Sequence, residues 1–130
     1  MENSKILKAL INVRNNALAK YSNFNVGALI ETQSGKIYSG FNIESSSYGL
    51  TICAERVAIF KALSEGESEF TKIYLMGPKN EFCYPCGACR QILHDFAPNI
   101  DIVLYKENGE TLEVNIKELL PAAFNDTSLI

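Results

Sequence analysis

The sequence predicts an α/β fold in which a mixed five-stranded β-sheet lies between helices on both of its faces. Its helix and strand patterns follow one another in the order α-β-β-α-β-α-β-β-α, which is typical of layered α/β proteins. With 130 residues, of which 47% are hydrophobic and 21% charged, the chain can build a substantial core. We therefore expect one three-layer domain over residues 1–130.

The first predicted elements are a helix and a β-hairpin. Apolar residues recur with the period of one helix face at Ile6, Leu10, Val13 and Ala17. This pattern predicts an amphipathic helix that begins at Asn3 or Ser4 and ends near Lys20. Two strands follow, over 24–30 and 36–44, and the turn-forming residues between them predict an antiparallel hairpin.

The end of the second predicted strand carries two polar residues, Asn42 and Glu44. Side chains alternate between the two faces of a strand, so these two point the same way. A carboxamide beside a carboxylate can hold the vicinal hydroxyl groups of a sugar. The pattern leaves open the alternative that they form a solvated strand end without a binding function.

The second predicted helix runs from about Cys53 to Glu65, and Gly66 is suited to end it. It is apolar nearly all round, so we expect it to be central and buried. Its first turn nevertheless contains a thiol, a carboxylate (Glu55) and a guanidinium (Arg56). Residues two apart diverge by about 200° on a regular helix. Cys53 and Glu55 can therefore face one pocket only if Cys53 lies at the very start.

The remaining predicted elements are a strand over 71–77, a helix from the thiol-bearing segment to about Phe96, strands over 100–105 and 110–114, and a helix over 116–120. The pair Asn108-Gly109 is typical of the turn of a β-hairpin. Pro121 ends the last helix. His94, which lies in the middle of the third helix, is assigned a surface position and no function.

The segment 85–91, with the sequence Pro-Cys-Gly-Ala-Cys-Arg-Gln, carries two thiols at the start of a helix. The free N–H groups and positive dipole of a helix N-terminus stabilise thiolates, which are the metal-binding form of cysteine. These two thiols, Cys86 and Cys89, and the thiol of Cys53 suggest a zinc site whose open fourth position can bind water. We expect Glu55 to lie beside that water and Arg56 to donate to a thiolate. This arrangement predicts hydrolysis at an electron-poor carbon.

A fourth cysteine, Cys83, leaves two other metal sites open. All four thiols can form a closed zinc site or an iron–sulfur site, and either would leave Glu55 without a function. Disulfides are disfavoured because we expect the chain to be intracellular. No apolar run reaches the roughly 18 residues of a membrane span, and the N-terminus lacks the form of a signal peptide.

The charge of the chain bears on its partners. Twelve basic and fifteen acidic residues give a net charge of −3, without a basic block. A polynucleotide partner normally requires a basic surface, so we expect no nucleic acid polymer. We likewise expect no membrane partner.

Taken together, these motifs resemble the cytidine deaminases of the short, homotetrameric, zinc-dependent type. The resemblance is carried in order along the chain by segments 24–28, 42–44, 48–56, 85–91 and 118–124. It implies the three-layer cytidine-deaminase-like fold and one zinc ion per chain. It also implies hydrolytic deamination of cytidine and deoxycytidine, with release of ammonia, in cytoplasmic pyrimidine salvage. The active sites are expected to be shared between subunits of a homotetramer.

The same resemblance implies a role for each matching residue. The implied zinc ligands are Cys53, Cys86 and Cys89, and the implied proton shuttle is Glu55. The implied substrate contacts are Phe24, Asn42, Glu44, Tyr48, Ala54 and Phe124. Asn42 and Glu44 are expected on the ribose 3′-hydroxyl side. Phe124 is expected to come from a neighbouring subunit, and Tyr48 to belong to the wall between subunits.

Two other deaminase types remain as alternatives. A blasticidin-type or other nucleoside-analogue deaminase shares the zinc motifs, but that family does not keep the Asn-x-Glu pair or the Arg after the catalytic Glu. A polynucleotide deaminase usually has a helix where this chain has its Asn108-Gly109 hairpin. The chain departs from the family pattern at several positions: Tyr84 stands where Ser is usual, Ser45-Ser46 where Asn-Ala is common and Leu29 where Ala is common, and Cys83 is not a family ligand.

Overall fold

A mixed β-sheet forms the centre of the molecule. The computed structural model describes residues 3–129, and its five strands lie in the order β2-β1-β3-β4-β5. They are β1 (Gly27–Thr32), β2 (Ile37–Phe41), β3 (Phe70–Met76), β4 (Asp101–Tyr105) and β5 (Thr111–Asn115). β3 and β4 run parallel, whereas the other neighbours are antiparallel. The predicted mixed five-stranded sheet is confirmed.

Four α-helices accompany the sheet in the predicted order. They are α1 (Asn3–Asn15), α2 (Ala54–Ser64), α3 (Gly87–Phe96) and α4 (Ile116–Leu119), with short 3₁₀ helices at Tyr48–Leu50 and Asp126–Leu129. Gly66 follows α2 with a φ of +94°, the left-handed conformation that suits glycine after a helix. Within residues 3–129, no helix combines the length and apolarity that crossing a membrane requires.

Helices cover both faces of the sheet, so the layered architecture is as predicted. On one face, α1 packs in a cluster that contains Ile6, Leu10, Leu29, Tyr74, Met76, Val103 and Tyr105. On the other, α2 and α3 pack in a cluster that contains Ala28, Ile30, Ala58, Ile59, Ile73, Leu75, Leu93, Ile102 and Leu104. The central strands are therefore buried on both faces, which is usual where parallel strands are covered by helices.

The first helix ends earlier than predicted. It stops at Asn15 rather than near Lys20. After it, Leu18 forms a bridge with Ile43: Leu18 N–H donates to the Asn42 carbonyl at 2.9 Å, and Glu44 N–H donates to the Leu18 carbonyl at 2.9 Å. Pairing between segments thus replaces the helical continuation that the apolar spacing predicted.

The second strand also ends before its predicted limit. β2 stops at Phe41, which pairs with Gly27, the first residue of β1. Residues beyond Phe41 have no partner in β1, so Asn42 and Glu44 lie outside the ladder. Ile43 between them forms isolated bridges with Leu18 and Ile52.

Helix α2 lies unusually close to β2. A Cβ atom built on Gly40 would lie 2.4 Å from the Ala54 carbonyl oxygen and 2.6 Å from the Ala58 nitrogen. Glycine therefore allows the first turn of α2 to rest directly on the strand. The prediction that α2 is buried is confirmed for its inner side, which includes Ala58, Ile59 and Ala62, but not for its outer side, where Phe60 is 40% exposed in the single chain.

Candidate metal centre and active site

Helices α2 and α3 begin at the same place. Cys53 is the N-cap of α2, with φ −72° and ψ 155°, and Cys86 is the N-cap of α3, with φ −69° and ψ 168°. Cys89 is the third residue of α3 and is fully buried. The prediction that Cys53 lies at the very start of its helix is confirmed. Two helix N-termini therefore point their free N–H groups at one cluster of sulfur atoms.

The three Sγ atoms are spaced as ligands of one metal ion. All lie within 4.8 Å of one another, with 3.7 Å between Cys53 and Cys86 and 3.5 Å between Cys86 and Cys89. In a tetrahedral zinc site with Zn–S bonds of about 2.3 Å, the sulfurs lie about 3.8 Å apart. A disulfide would need about 2.05 Å, and all four cysteines are free. The donor set and its spacing fit zinc.

Protons are shared unequally within this cluster. Hydrogen bonds, first from Cys89 and then from Arg56, lower the pKa of the Cys53 thiol to about 5. The hydrogen bond to Cys53, together with burial, raises the pKa of Cys89. As predicted, Arg56 Nη2 lies 3.5 Å from the Cys53 sulfur. The surroundings of Cys53 therefore favour the thiolate form that binds a metal, and metal binding displaces the protons that remain in the cluster.

Glu55 lies beside the sulfurs rather than among them. It is the second residue of α2 and only 5% exposed. Burial, followed by the negative charge of Cys53, raises the pKa of its carboxyl to about 7. The metal-binding group found among the described residues is Cys53, Cys86 and Cys89, without this carboxylate. Glu55 is therefore a buried carboxyl outside the three-sulfur group, with a pKa near neutrality.

Cys83 is not part of the metal-binding group among the described residues. Its side chain packs against the backbone of Gly77, where an added Cβ would lie 2.8 Å from Cys83 Cβ and 3.2 Å from its Sγ. Burial, more than nearby negative charge, raises the pKa of its thiol to about 11. The structure therefore holds three sulfurs together rather than the four of a closed site.

A cavity of about 300 Å³ opens onto Cys53, Cys86 and Glu55. Its other walls include four of the predicted substrate contacts, namely Phe24, Asn42, Glu44 and Ala54. Residues that were not among the predicted substrate contacts also line it: Ser22, Val26, Thr51, Cys83 and Tyr84. A larger cavity of about 510 Å³ lies between the end of α3 and the C-terminal tail, but no cysteine lines it. Convergent chemistry, not volume, identifies the smaller cavity as the candidate active site.

Asn42 is a buried clamp on the wall of this cavity. Its Oδ1 accepts a hydrogen bond from Val26 N–H at 2.9 Å, and its Nδ2 donates to the Phe24 carbonyl at 2.8 Å. One N–H and one lone pair remain for a ligand. The clamp joins segments far apart in the sequence, so the strand pattern gave no sign of it.

Glu44 is held by the turn that follows α1. Its Oε1 accepts from the N–H groups of Tyr21 at 2.9 Å and Ser22 at 3.0 Å, and its Oε2 accepts from the Ser22 hydroxyl. These hydrogen bonds, with that of the hydroxyl largest, lower the pKa of the carboxyl. Glu44 therefore stays ionised at neutral pH and keeps a fixed orientation.

The single chain does not bring Tyr48 and Phe124 into the cavity. Tyr48 is 74% exposed and lines a neighbouring cavity of about 380 Å³, which shares Ser22, Glu44 and Thr51 with the first. Phe124 is 58% exposed and lines the larger cavity at the end of α3.

Arg90 is a supporting residue to which the sequence analysis gave no role. Its Nε donates to the Pro85 carbonyl at 2.7 Å, and its Nη1 donates to the Leu119 carbonyl at 3.0 Å. It therefore ties the loop before Cys86 to the end of α4. Its position directly after Cys89 was the one sequence feature that could have indicated this supporting role.

Comparison with known proteins gives consistent matches. A family model described as the cytidine and deoxycytidylate deaminase zinc-binding region matches residues 1–106. The cytidine deaminase of Halalkalibacterium halodurans is 41% identical over 126 residues, which is 95% of each chain. A crystal structure of cytidine deaminase from Burkholderia pseudomallei is 40% identical with a TM-score of 0.89, and the match covers 95% of this chain and 100% of that one. A blasticidin-S deaminase of Bacillus cereus is 35% identical over 108 residues, 77% of this chain and 76% of that protein.

Proposed function

The chain belongs to the cytidine and deoxycytidylate deaminase family, and we propose that it hydrolyses cytidine and deoxycytidine to uridine or deoxyuridine and ammonia. The observation that carries the proposal is the group of three thiols with an uncoordinated carboxylate, Glu55, in one cavity. A metal centre that keeps an open position and has a buried carboxylate beside it is suited to hydrolysis rather than to a structural role.

The proposed ligands of one zinc ion are Cys53, Cys86 and Cys89. When bound there, zinc supplies a Lewis-acidic centre with an open fourth position at which water becomes acidic. Three thiolates carry more negative charge than the dication neutralises. The Arg56 guanidinium and the N-termini of α2 and α3 offset part of that excess, which favours ionisation of the water.

Glu55 is the proposed proton shuttle. Its carboxylate takes one proton from the water that attacks C4 of the cytosine ring and delivers it to the ring N3. It then takes the second proton from the new C4 hydroxyl group and delivers it to the departing 4-amino nitrogen. The water oxygen becomes the 4-oxo group of uridine, and the amino group leaves as ammonia. The N–H of Ala54, in the first turn of α2, has no partner within the helix and can donate to the pyrimidine edge.

The proposed substrate is a nucleoside rather than a nucleotide or a free base. Asn42 and Glu44 offer a donor and a fixed carboxylate to the hydroxyl groups of the sugar, and Phe24 offers an apolar surface to the base and ribose. Within residues 3–129, neither this cavity nor its neighbour is lined by Lys or Arg. A 5′-phosphate would therefore meet carboxylates without a compensating cation.

Assembly into a homotetramer with shared active sites is part of the proposal. The exposure of Tyr48 and Phe124, 74% and 58%, supports it, because both are large aromatic side chains left uncovered by their own chain. In this arrangement Phe124 of one subunit stacks on the base bound by another. Free metal-binding thiols suit a reducing compartment, and we assign the activity to pyrimidine salvage in the cytoplasm.

The test is an ultraviolet assay of the purified, zinc-analysed protein with cytidine, deoxycytidine, cytosine, cytidine 5′-phosphate and blasticidin S. We expect one zinc per chain and turnover of the two nucleosides, with poor turnover of the other three compounds. Chelation should abolish the activity, and zinc should restore it. Preferred turnover of blasticidin S, or no turnover of either nucleoside by the zinc-loaded protein, would overturn the proposal.

A further inference from the structure

The turn between α1 and β1 is organised around one hydroxyl group. The Ser22 hydroxyl donates to Glu44 Oε2, and its oxygen accepts from Phe24 N–H at 3.0 Å. The residue between them, Asn23, has a φ of 57°, a left-handed conformation that asparagine tolerates. Ser22 therefore bridges the carboxylate proposed for the sugar and the backbone of the aromatic residue proposed for the base.

The hydrogen bonds of Glu44 determine which of its lone pairs a ligand can use. Oε1 is occupied by the N–H groups of Tyr21 and Ser22, and Oε2 by the Ser22 hydroxyl alone. A carboxylate oxygen can accept about two hydrogen bonds. Oε2 therefore has an accepting position left, and the Ser22 hydroxyl fixes the direction in which that position points.

We propose that Ser22 is a positioning residue of the sugar subsite and determines how tightly a 3′-hydroxyl group is held. The inference rests on the proposed function, since it assigns the partner of Glu44 within that site. With the hydroxyl present, both oxygens of the carboxylate are oriented before the sugar binds. Without it, only Oε1 is held, and substrate binding must itself fix the direction of Oε2, so affinity falls while the chemistry at the metal is unaffected.

Thr51 is a second hydroxyl residue near Glu44, and it differs from Ser22 in its hydrogen bonds. Both residues line the cavity and its neighbour, but the Thr51 hydroxyl accepts a hydrogen bond from Ser45 N–H at 3.2 Å. Among the described residues, the donors to the Glu44 carboxylate are the N–H groups of Tyr21 and Ser22 and the Ser22 hydroxyl, and not Thr51. A polar lining alone therefore does not confer the role.

The experiment compares Ser22→Thr with Ser22→Val, which have nearly the same shape and differ in the hydroxyl. Ser22→Ala is measured beside them, and Ser68→Ala is the control, an exposed serine that does not line the cavity. For cytidine, we expect Val and Ala to raise KM about 5- to 10-fold, as for the loss of one hydrogen bond of ordinary strength. Thr should restore KM, kcat should change less than about 2-fold, and zinc content should stay constant.

A second substrate isolates the hydroxyl under study. With 3′-deoxycytidine, which offers Glu44 no 3′-hydroxyl, the difference between the Thr and Val variants should disappear. In a Glu44→Ala background, Ser22→Ala should likewise have no further effect on KM, because the two residues act through one interaction.

Three outcomes overturn the inference in distinguishable ways. Equal KM values of the Thr and Val variants for cytidine would refute it while leaving the proposed function intact. An equal loss for cytidine and 3′-deoxycytidine would mean that Ser22 acts on the fold of the turn and not on the 3′-hydroxyl. A zinc-loaded wild-type protein that deaminates no cytidine would refute the proposed function and this inference together.

Discussion

The metal side and the sugar side of the candidate site are built from different kinds of structure. Cys89 and Glu55 lie in the first turns of two α-helices and are 0% and 5% exposed. Phe24, on the sugar side, follows an irregular turn and is 43% exposed. Helix N-termini that pack on the sheet hold side chains in one geometry, whereas a turn depends on a few hydrogen bonds. The comparison indicates a candidate reaction centre held by two helices next to a subsite held by the hydrogen bonds of a turn, which in our proposal is completed by neighbouring subunits.

The largest effect that would test this division is expected from Glu55→Gln. Glutamine keeps the shape of the side chain but cannot carry the proton, so kcat should fall by at least about 100-fold. The preformed thiol cluster should keep about one zinc per chain, because Glu55 is not one of its members. Steady-state kinetics and metal analysis of the same preparation measure both quantities. A zinc-loaded variant with near-normal kcat would end the proton-shuttle assignment.

The next largest effect is expected on the sugar side, from Glu44→Ala. Loss of the oriented carboxylate should lower kcat/KM for cytidine roughly 10- to 100-fold without loss of zinc. The matched control is Glu69→Ala, an exposed carboxylate in the loop before β3. Wild-type protein that converts cytosine as readily as cytidine would contradict a sugar-binding role for this residue.

A smaller effect is expected from Phe124→Ala, which tests whether the site is completed by assembly. Removing one aromatic stacking contact should lower kcat/KM about 3- to 10-fold while zinc content stays the same. Light scattering coupled to size exclusion would report the oligomeric state, with Leu129→Ala, exposed in the same tail, as the control. Full specific activity from a demonstrated monomer would refute the shared site.

The smallest effect is expected from Cys83→Ser, which tests whether Cys83 only lines the cavity or also binds the metal. Because Cys83 packs against Gly77 outside the three-sulfur group, the variant should keep about one zinc per chain and near-normal turnover. X-ray absorption should count three sulfur ligands in both proteins. A fourth sulfur ligand that is present in the wild-type protein and absent from the variant would support the closed site and contradict the hydrolytic mechanism.

The same division explains how much of the molecule the sequence could predict. The order of elements and the convergence of Cys53 with Cys86 follow from local signals, namely hydrophobic period, turn residues and thiols at helix starts. The end of α1 and the end of β2 were missed because pairing of Leu18 with Ile43 overrides local preference.

The interactions of Ser22 and Asn42 were missed for a related reason. Their hydrogen bonds join segments 16 to 22 residues apart, and a local pattern does not show which distant groups a side chain contacts. Local spacing can identify Asn42 as a candidate, but it cannot show that Asn42 also supports the cavity wall.

The position of the thiol cluster between two helices has a thermodynamic consequence. Its sulfurs come from α2 before β3 and from α3 after it, so an ion held by all three binds only when both helices are docked on the sheet. Metal occupancy and global unfolding are therefore linked. Above the dissociation constant, each tenfold rise in free zinc should add about 1.4 kcal/mol to the free energy of unfolding. The melting temperature would then serve as a gauge of free zinc, and a melting temperature independent of zinc would show that zinc does not bind preferentially to the folded chain.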